Sequence, residues 1–146
     1  MTEKQKQQNA SIKFSENDKN RKYDFDDFKE IIAALRAPGG CPWDIKQTHE
    51  SLKECLVEES QEVLDAIDNK DDENLCEELG DLLLQVVMHA RIAEEGNRFT
   101  MDDVIQGVAE KMIRRHPHVF GDEKVSNASE SLNLWEEIKK KEKAGK

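Results

Sequence analysis

Long apolar runs and abundant helix breakers are both missing from this chain. No apolar stretch approaches the ~18 to 20 residues of a membrane-spanning helix, and the polar start contains no apolar segment like that of a signal peptide. We therefore expect a soluble, cytoplasmic protein with no membrane partner. The 146 residues include only three prolines and seven glycines, and 5% are aromatic. These breakers stand in a few short clusters, which leaves room for long regular elements between them.

Cysteine is also scarce. Cys41, Cys55 and Cys76 are odd in number, and no two of them stand at Cys-x-x-Cys spacing. This excludes a disulfide framework and a thiolate zinc site, and we expect the three thiols to be reduced and structural.

An excess of basic residues is the third absence. There are 32 acidic against 22 basic residues, which gives a net charge of −10. Residues 1–24 carry +2 and residues 139–146 carry +4, so the segment between them carries −16. Such a surface repels nucleic acid and attracts cations, so no nucleic-acid partner is expected. A solvated helix face would also explain this acidity, so the placement of the acids has to decide.

The apolar residues from about Phe25 to Lys143 follow a 3.6-residue period without strand-like alternation, which predicts an all-α fold. Residues 1–24 have few large apolar groups and are predicted to form a flexible polar leader, with 144–146 as a tail. We expect an antiparallel bundle of about five helices, completed by dimerisation because the third helix is apolar almost all round. The helices are predicted at about 26–36, 49–68 (capped by Thr48), 72–95, 100–115 and 129–143.

Carboxylates interrupt the apolar face of the second predicted helix. Glu59 falls in the middle of the apolar stripe, Glu62 lies on its edge, and Glu58 stands beside them. An unpartnered buried carboxylate is costly. Glu59 and Glu62 therefore indicate a site rather than a solvated surface.

The third predicted helix brings a matching pair of acids. Glu78 and Asp81 form a polar strip with Gln85 beside its apolar face, and a short turn makes the two helices antiparallel neighbours. Four converging carboxylates cannot all stay ionised without cations, and these two helices supply only Lys53 and Lys70 to neutralise them. Ligands that are all oxygen favour Mg²⁺ or Mn²⁺. A di-iron bundle would need Glu-x-x-His pairs, which are absent.

With these residues the chain resembles the MazG family of all-α nucleoside triphosphate pyrophosphohydrolases. The resemblance covers about residues 25–143 and rests on motifs in a fixed order. They are Gly39-Gly40-Cys41-Pro42-Trp43-Asp44, Glu58-Glu59-x-x-Glu62, the run 77–89 (EELGDLLLQVVMH) with Glu78-x-x-Asp81, the run 114–120 (RRHPHVF) and Trp135-Glu136-x-x-Lys139.

The resemblance implies a Mg²⁺-dependent enzyme, with Mn²⁺ as a substitute, that cleaves a nucleoside triphosphate between its α and β phosphates. Such an activity suits house-cleaning of the nucleotide pool. It also implies a homodimer or higher homo-oligomer. The metal ligands that it implies are Glu59, Glu62, Glu78 and Asp81.

The resemblance further implies four nucleotide-contacting residues, which are Lys111, Arg115, Trp135 and Lys139. From the residues alone, Lys111 and Arg115 could instead offset the dipole at the end of their helix.

The candidate catalytic residues are Glu58 and Glu59. Glu58 could orient or deprotonate the attacking water, although its position equally permits an exposed side chain. His116 and His118 are interpreted as structural, and Trp43 is expected to pack on the core.

A non-enzymatic acidic helical dimerisation module is the alternative. Such a module has no reason to place Glu59 at the centre of an apolar stripe, nor to respond to Mg²⁺.

Overall fold

The structure is a computed structural model that describes residues 13–145, and within that range the chain is helical with no strand. Seven helices lie between residues 25 and 144. They are α1 (Phe25–Arg36), α2 (Pro42–Lys46), α3 (Lys53–Asp68), α4 (Asp72–Glu95), α5 (Met101–Arg115), α6 (Pro117–Phe120) and α7 (Ala128–Ala144). The all-α prediction is confirmed. The chain forms two compact units that divide between Thr100 and Met101.

The five long helices begin and end close to their predicted bounds, and the largest difference is at the start of α3. Thr48 was expected to cap a helix from residue 49, but the helix begins at Lys53. The Thr48 hydroxyl accepts a hydrogen bond from the Ser51 amide at 3.1 Å, and the Ser51 hydroxyl accepts one from the Thr48 amide at 2.9 Å. This reciprocal pair holds a separate turn ahead of the helix.

Two short helices, α2 and α6, were not predicted. Each begins with a proline at its first position, Pro42 and Pro117, where the missing amide hydrogen costs nothing. The expectation that Trp43 packs on the core is wrong, because this residue of α2 is 56% exposed. A helix of five residues is too short to bury one face of such a large side chain.

Residues 13–24 make contacts among themselves and with α1. The Arg21 guanidinium lies over the rings of Phe14 and Tyr23, at 4.8 and 5.2 Å from their centroids. Asp24 caps α1 by a reciprocal pair of hydrogen bonds with Asp27. The flexible leader over residues 1–24 stays a prediction, and residues 1–12 lie outside the described range.

In the first unit, α3 and α4 pack along each other as a helical hairpin joined by residues 69–71. Lys70 adopts φ 52° in this turn, which brings the Asp71 amide within 3.2 Å of the Ala66 carbonyl. The buried apolar side chains of this unit are Ile32, Leu52, Ala66, Val87, Met88, Ala90 and Ala93.

Arg36 ties α1 to the end of α4. Its guanidinium donates to the Glu95 carboxylate at 2.9 and 3.1 Å, and to the carbonyl oxygens of Asp44 and Gln47 at 2.6 and 3.0 Å. The pairing is bidentate and the arginine side chain is 8% exposed, which makes it a stronger link than a surface ion pair.

In the second unit, α5 packs against α6 and α7. The Glu142 carboxylate of α7 accepts hydrogen bonds from Arg114 Nε at 2.6 Å and from Arg115 Nη2 at 2.8 Å. This one carboxylate therefore anchors the last helix to the end of α5. None of the helices in residues 13–145 is both long and apolar enough to cross a membrane.

Candidate metal centre

The helical hairpin brings together the four carboxylates predicted as metal ligands. Glu59 and Glu62 are one turn apart on α3, and Glu78 and Asp81 are one turn apart on α4. One oxygen from each residue lies within 4.8 Å of the others. Glu59, Glu78 and Asp81 are partly buried and Glu62 is exposed, so the cluster opens to solvent on the Glu62 side.

No lysine or arginine among the described residues compensates the charge of this cluster. Within residues 13–145, none of the four carboxylates forms an ion pair with a lysine or arginine. Oε2 of Glu59 and Oε2 of Glu78 are fully buried without a hydrogen-bond donor. The idea that lysines neutralise these acids therefore has no support in the described part of the chain.

The crowding of like charge perturbs two of the carboxyl groups. Burial, followed by the neighbouring Glu62 carboxylate, raises the pKa of Glu59. The Glu62 carboxylate, followed by burial, raises the pKa of Glu78 to about 7. The negative charge of Asp81 acts on both residues in the same direction. A nearby cation would reverse these shifts by favouring the charged forms.

The donor set fits a hard divalent cation. All four ligating groups are carboxylates, their oxygens face one another, and two of those oxygens lack any other partner. Mg²⁺ and Mn²⁺ prefer such oxygen ligands, and they keep coordination positions for water and phosphate. The first unit thus contains an α-helical hairpin whose four facing carboxylates could hold a metal ion.

Glu58, the other candidate catalytic residue, is exposed and lies outside the four-carboxylate cluster. Its charge still reaches the cluster, because it contributes to raising the pKa of Glu59. Its role in catalysis stays a prediction.

The four residues expected to contact the nucleotide all lie in the second unit. Lys111 and Lys139 are partly buried, and neither forms an ion pair within the described residues. The Arg115 guanidinium lies 5.0 Å from the centroid of the Trp135 ring, so this pair of predicted residues forms one stacked arrangement.

Two features around this stack were not foreseen. Glu142 holds Nη2 of Arg115, while Nε of Arg115 is buried with no partner. His116 donates from Nδ1 to the Met112 carbonyl oxygen at 2.6 Å and sets its ring edge on Trp135 at 5.2 Å. These contacts give His116 a structural role at the end of α5.

Three residues beside the hairpin were missed by sequence reasoning, and they form a hydrogen-bonded chain. Arg98 Nη2 lies 2.8 Å from His49 Nε2, and His49 Nδ1 lies 2.7 Å from His89 Nδ1. His89 follows Gln85 by one turn on α4, so helical spacing could have added it to the polar strip. Nothing in the sequence pairs His49 with a residue 40 positions away.

Comparison with known proteins gives the family of this chain. The family model described as the MazG nucleotide pyrophosphohydrolase domain matches residues 47–120, which include all four carboxylates. The chain belongs to the MazG family. The crystal structure of a mazG-related protein from Thermotoga maritima matches with a TM-score of 0.64 at 37% identity, over 76% of this chain and 95% of that one.

Three curated relatives show how far the similarity extends. A nucleoside triphosphate pyrophosphohydrolase/pyrophosphatase MazG of Thermotoga maritima is 54% identical over 84% of this chain and 46% of its own length. A nucleoside triphosphate pyrophosphohydrolase of Escherichia coli K12 is 48% identical over 80% of this chain and 44% of its own. The uncharacterized protein YabN of Bacillus subtilis is 56% identical over 83% of this chain and 25% of its own length. The chain therefore spans less than half the length of these relatives.

Proposed function

We propose that this protein hydrolyses nucleoside triphosphates to nucleoside monophosphate and pyrophosphate with the help of Mg²⁺. The observation that carries the proposal is the meeting of Glu59 and Glu78, each with an enclosed carboxylate oxygen that has no hydrogen-bond partner among residues 13–145. Membership of the MazG family, with relatives named for this activity, supports the same chemistry.

In this proposal the four carboxylates share one role and Glu58 has another. Glu59, Glu62, Glu78 and Asp81 hold the cation, and Mn²⁺ can replace Mg²⁺ in a site of carboxylate oxygens. When bound, the cation neutralises phosphate charge and makes hydroxide available from water near neutral pH. Glu58, exposed one position before Glu59, orients or deprotonates the attacking water. Attack at the α phosphorus breaks its bond to the bridging oxygen, and pyrophosphate leaves.

The residues assigned to the nucleotide in this proposal are Lys111, Arg115, Trp135 and Lys139. Lys111 and Lys139 have no carboxylate partner among residues 13–145. Arg115 keeps its Nε–H unpartnered while Glu142 fixes the rest of the group. We assign these cations to the phosphates and the Trp135 ring to the base, because an aromatic face stacks on any nucleobase.

A second copy of the chain completes the bundle in this proposal. Two apolar stripes of the hairpin are exposed in the single chain. One consists of Leu56, Leu64 and Ile67 on α3, and the other of Leu79, Leu83 and Val86 on α4. The residues on α4 recur every three or four positions and form a continuous line, whereas on α3 Leu56 lies two turns before Leu64 and Ile67. Two such hairpins packed together form a four-helix arrangement with both stripes buried.

The alternative of a non-enzymatic interaction module accounts for the exposed stripes but not for the cluster. A module of that kind gains nothing from enclosing two unpartnered carboxylate oxygens, which costs stability without a ligand. The enzyme proposal explains both features.

The bond that is cut decides between a pyrophosphohydrolase and a phosphatase. The purified chain should be incubated with a panel of nucleoside triphosphates and Mg²⁺ in ¹⁸O-labelled water, and the products resolved by mass spectrometry. We expect the label in the monophosphate, because water attacks the α phosphorus. First products of orthophosphate and nucleoside diphosphate would refute the proposal, as would no turnover of any nucleotide.

Variants of the cluster test the metal ligands in the same assay. Glu59→Gln and Asp81→Asn should each lower turnover at least about a hundredfold, since each removes a charge that holds the cation. Helix content measured by circular dichroism should be unchanged. Glu73→Gln, an exposed acid at the start of α4, is the matched control and should keep full activity. Near-wild-type turnover in either cluster variant contradicts the assignment.

A further inference from the structure

A series of hydrogen bonds joins Arg98, His49 and His89, and it runs from an exposed arginine to a partly buried histidine on α4. The two imidazole planes are parallel within 3° and their centroids are 5.0 Å apart. Parallel rings with nitrogen atoms 2.7 Å apart cannot be stacked face to face, because that distance is shorter than a van der Waals contact. The rings therefore lie edge to edge in one plane and share an N–H···N hydrogen bond.

The donor and acceptor of both hydrogen bonds follow from Arg98, because a guanidinium group only donates. His49 Nε2 accepts from it, so the proton of His49 is on Nδ1 and is donated to His89 Nδ1. The proton of His89 is then on Nε2. Burial, followed by the neighbouring His49, lowers the pKa of His89, which keeps its ring neutral.

Two buried polar atoms near the His89 end of these hydrogen bonds have no partner among the described residues. His89 Nε2, which carries the proton, is buried with no acceptor. Gln85, one turn earlier on α4, is the buried polar residue of the described chain at 8% exposure, and its Oε1 is enclosed with no donor. A donor and an acceptor one turn apart on the same helix complement each other, whereas leaving both unsatisfied is costly.

Gln85 also stands next to the candidate metal centre. It follows Asp81 by one turn and Glu78 by two, so the three residues share one strip of α4. Of the two polar atoms of its amide, only the oxygen is fully buried without a partner. A neutral NH₂ donor at this place attracts phosphate oxygens without competing with a cation for the carboxylates, as a lysine would.

We propose that His89 Nε2–H donates to Gln85 Oε1, directly or through one enclosed water, and that this fixes the Gln85 amide so that its NH₂ group binds a phosphate oxygen of the nucleotide. Gln85 is then a substrate-contacting residue. Arg98, His49 and His89 are positioning residues that act through it. This role rests on the proposed pyrophosphohydrolase activity, while the arrangement of protons does not.

The protons are tested first, on the metal-free protein and without substrate. Long-range ¹H–¹⁵N NMR spectra distinguish the two neutral tautomers of a histidine. We expect His49 to carry its proton on Nδ1 and His89 to carry it on Nε2. Arg98→Met removes the donor that fixes the direction of the hydrogen bonds, so both rings should show mixed tautomers. Arg98→Lys, whose side chain also only donates, should restore the single tautomers of the wild type. A His89 protonated on Nδ1 in the wild type overturns the proposal.

The role of Gln85 is tested by kinetics together with Mn²⁺ binding measured by electron paramagnetic resonance. Gln85→Met keeps the length of the side chain but removes its hydrogen bonds. It should lower kcat/KM for nucleoside triphosphates about tenfold to a hundredfold, the loss expected for a hydrogen bond to a charged group. Mn²⁺ affinity should stay within about twofold. If the methionine variant does not fold, Gln85→Asn replaces it. Asparagine keeps the amide group but is too short to bring it to the phosphate, so this variant should show the same result.

Controls separate this role from the others. Gln61→Met, an exposed residue of α3, should leave both kinetics and Mn²⁺ binding unchanged. A Gln85 variant with weakened Mn²⁺ binding shows that Gln85 supports the metal ligands and refutes the phosphate contact. Unchanged kcat/KM refutes it as well. A wild type inactive on every nucleotide refutes the proposed function, whereas an active wild type matched by Gln85→Met refutes only the role of Gln85.

Discussion

Glu78 has the most strongly shifted carboxyl group of the cluster, because a hydrogen bond with the Glu62 side chain, followed by burial, raises its pKa to about 7. Because this is above the ordinary value of 4.5, the stability that Glu78 contributes is fully present below about pH 4.5 and is lost as pH rises through about 7. In metal-free protein, Glu78→Gln should therefore raise Tm at about pH 8 but not at about pH 4. Mg²⁺ should raise the wild-type Tm at about pH 8 and do so less in the variant.

Thermal unfolding followed by circular dichroism, with chelator or with Mg²⁺, measures these differences. Glu73→Gln on the same helix removes a charge without touching the cluster, so its Tm difference should not depend on pH in this range. A Glu78→Gln protein that is less stable than the wild type at about pH 8 without metal would show that a cation is not needed to relieve the crowding.

At the same scale, the sequence predicted some side chains of the site and not others. Glu59 could be placed because a carboxylate inside an apolar stripe breaks a helical pattern, and the structure does enclose one of its oxygens. The contact of His49 with His89 could not, since a loop residue has no period and the pairing depends on how α3 and α4 pack. The Glu142 contacts were missed for a similar reason, because nothing in the sequence pairs this acid with arginines 27 and 28 positions earlier.

Among the helices, α7 depends most clearly on one side chain, the Glu142 carboxylate that joins it to α5. Hydrogen bonds from Arg115 and Arg114 lower the pKa of Glu142 to about 2. Since this lies below the ordinary 4.5, the stabilisation is present above about pH 4.5 and is lost as pH falls through about 2. Glu142→Gln should thus speed amide hydrogen exchange in α7 at neutral pH.

Urea unfolding of Glu142→Gln at several pH values tests the direction of this pH dependence. The difference in stability from the wild type should shrink steadily as pH falls from about 4.5 toward 2, where both side chains are uncharged. Glu136→Gln, an exposed acid on the same helix, provides the comparison and should show little difference at any pH. Equal exchange rates in α7 for Glu142→Gln and wild type at neutral pH would mean that apolar packing alone holds this helix.

Long helices were predicted from the sequence more accurately than short ones. The long helices α4 and α5 carry several turns of periodic apolar residues, and their ends agree with the expected ones within one residue. Helices α2 and α6 contain five and four residues, too few for a period, and a proline at the first position is compatible with a turn as well as with a helix. The start of α3 was displaced by a local side-chain turn at Thr48 that competes with helix formation.

For the molecule as a whole, the exposed stripes on α3 and α4 decide the state of assembly. Leu79, Leu83 and Val86 are 48%, 40% and 39% exposed in the single chain, and a soluble monomer rarely leaves so continuous an apolar line in water. We expect sedimentation velocity to report at least a dimer at micromolar concentration, with a Tm that rises with protein concentration.

Leu83→Gln tests this surface because it keeps the length and helix propensity of the side chain but not its apolar character. Because Leu83 is 40% exposed in the single chain, dimerisation can bury at most that fraction, which amounts to about 0.6 to 1.2 kcal/mol per leucine. In a two-fold interface each change counts twice, so the substitution weakens dimerisation by about one to two powers of ten. Gln61→Met, on an exposed polar position of α3, should leave the dimer intact. If dimerisation completes the bundle, Leu83→Gln protein should regain activity as its concentration rises. A wild-type monomer with full turnover would place the whole reaction within a single chain and leave the two stripes without this partner.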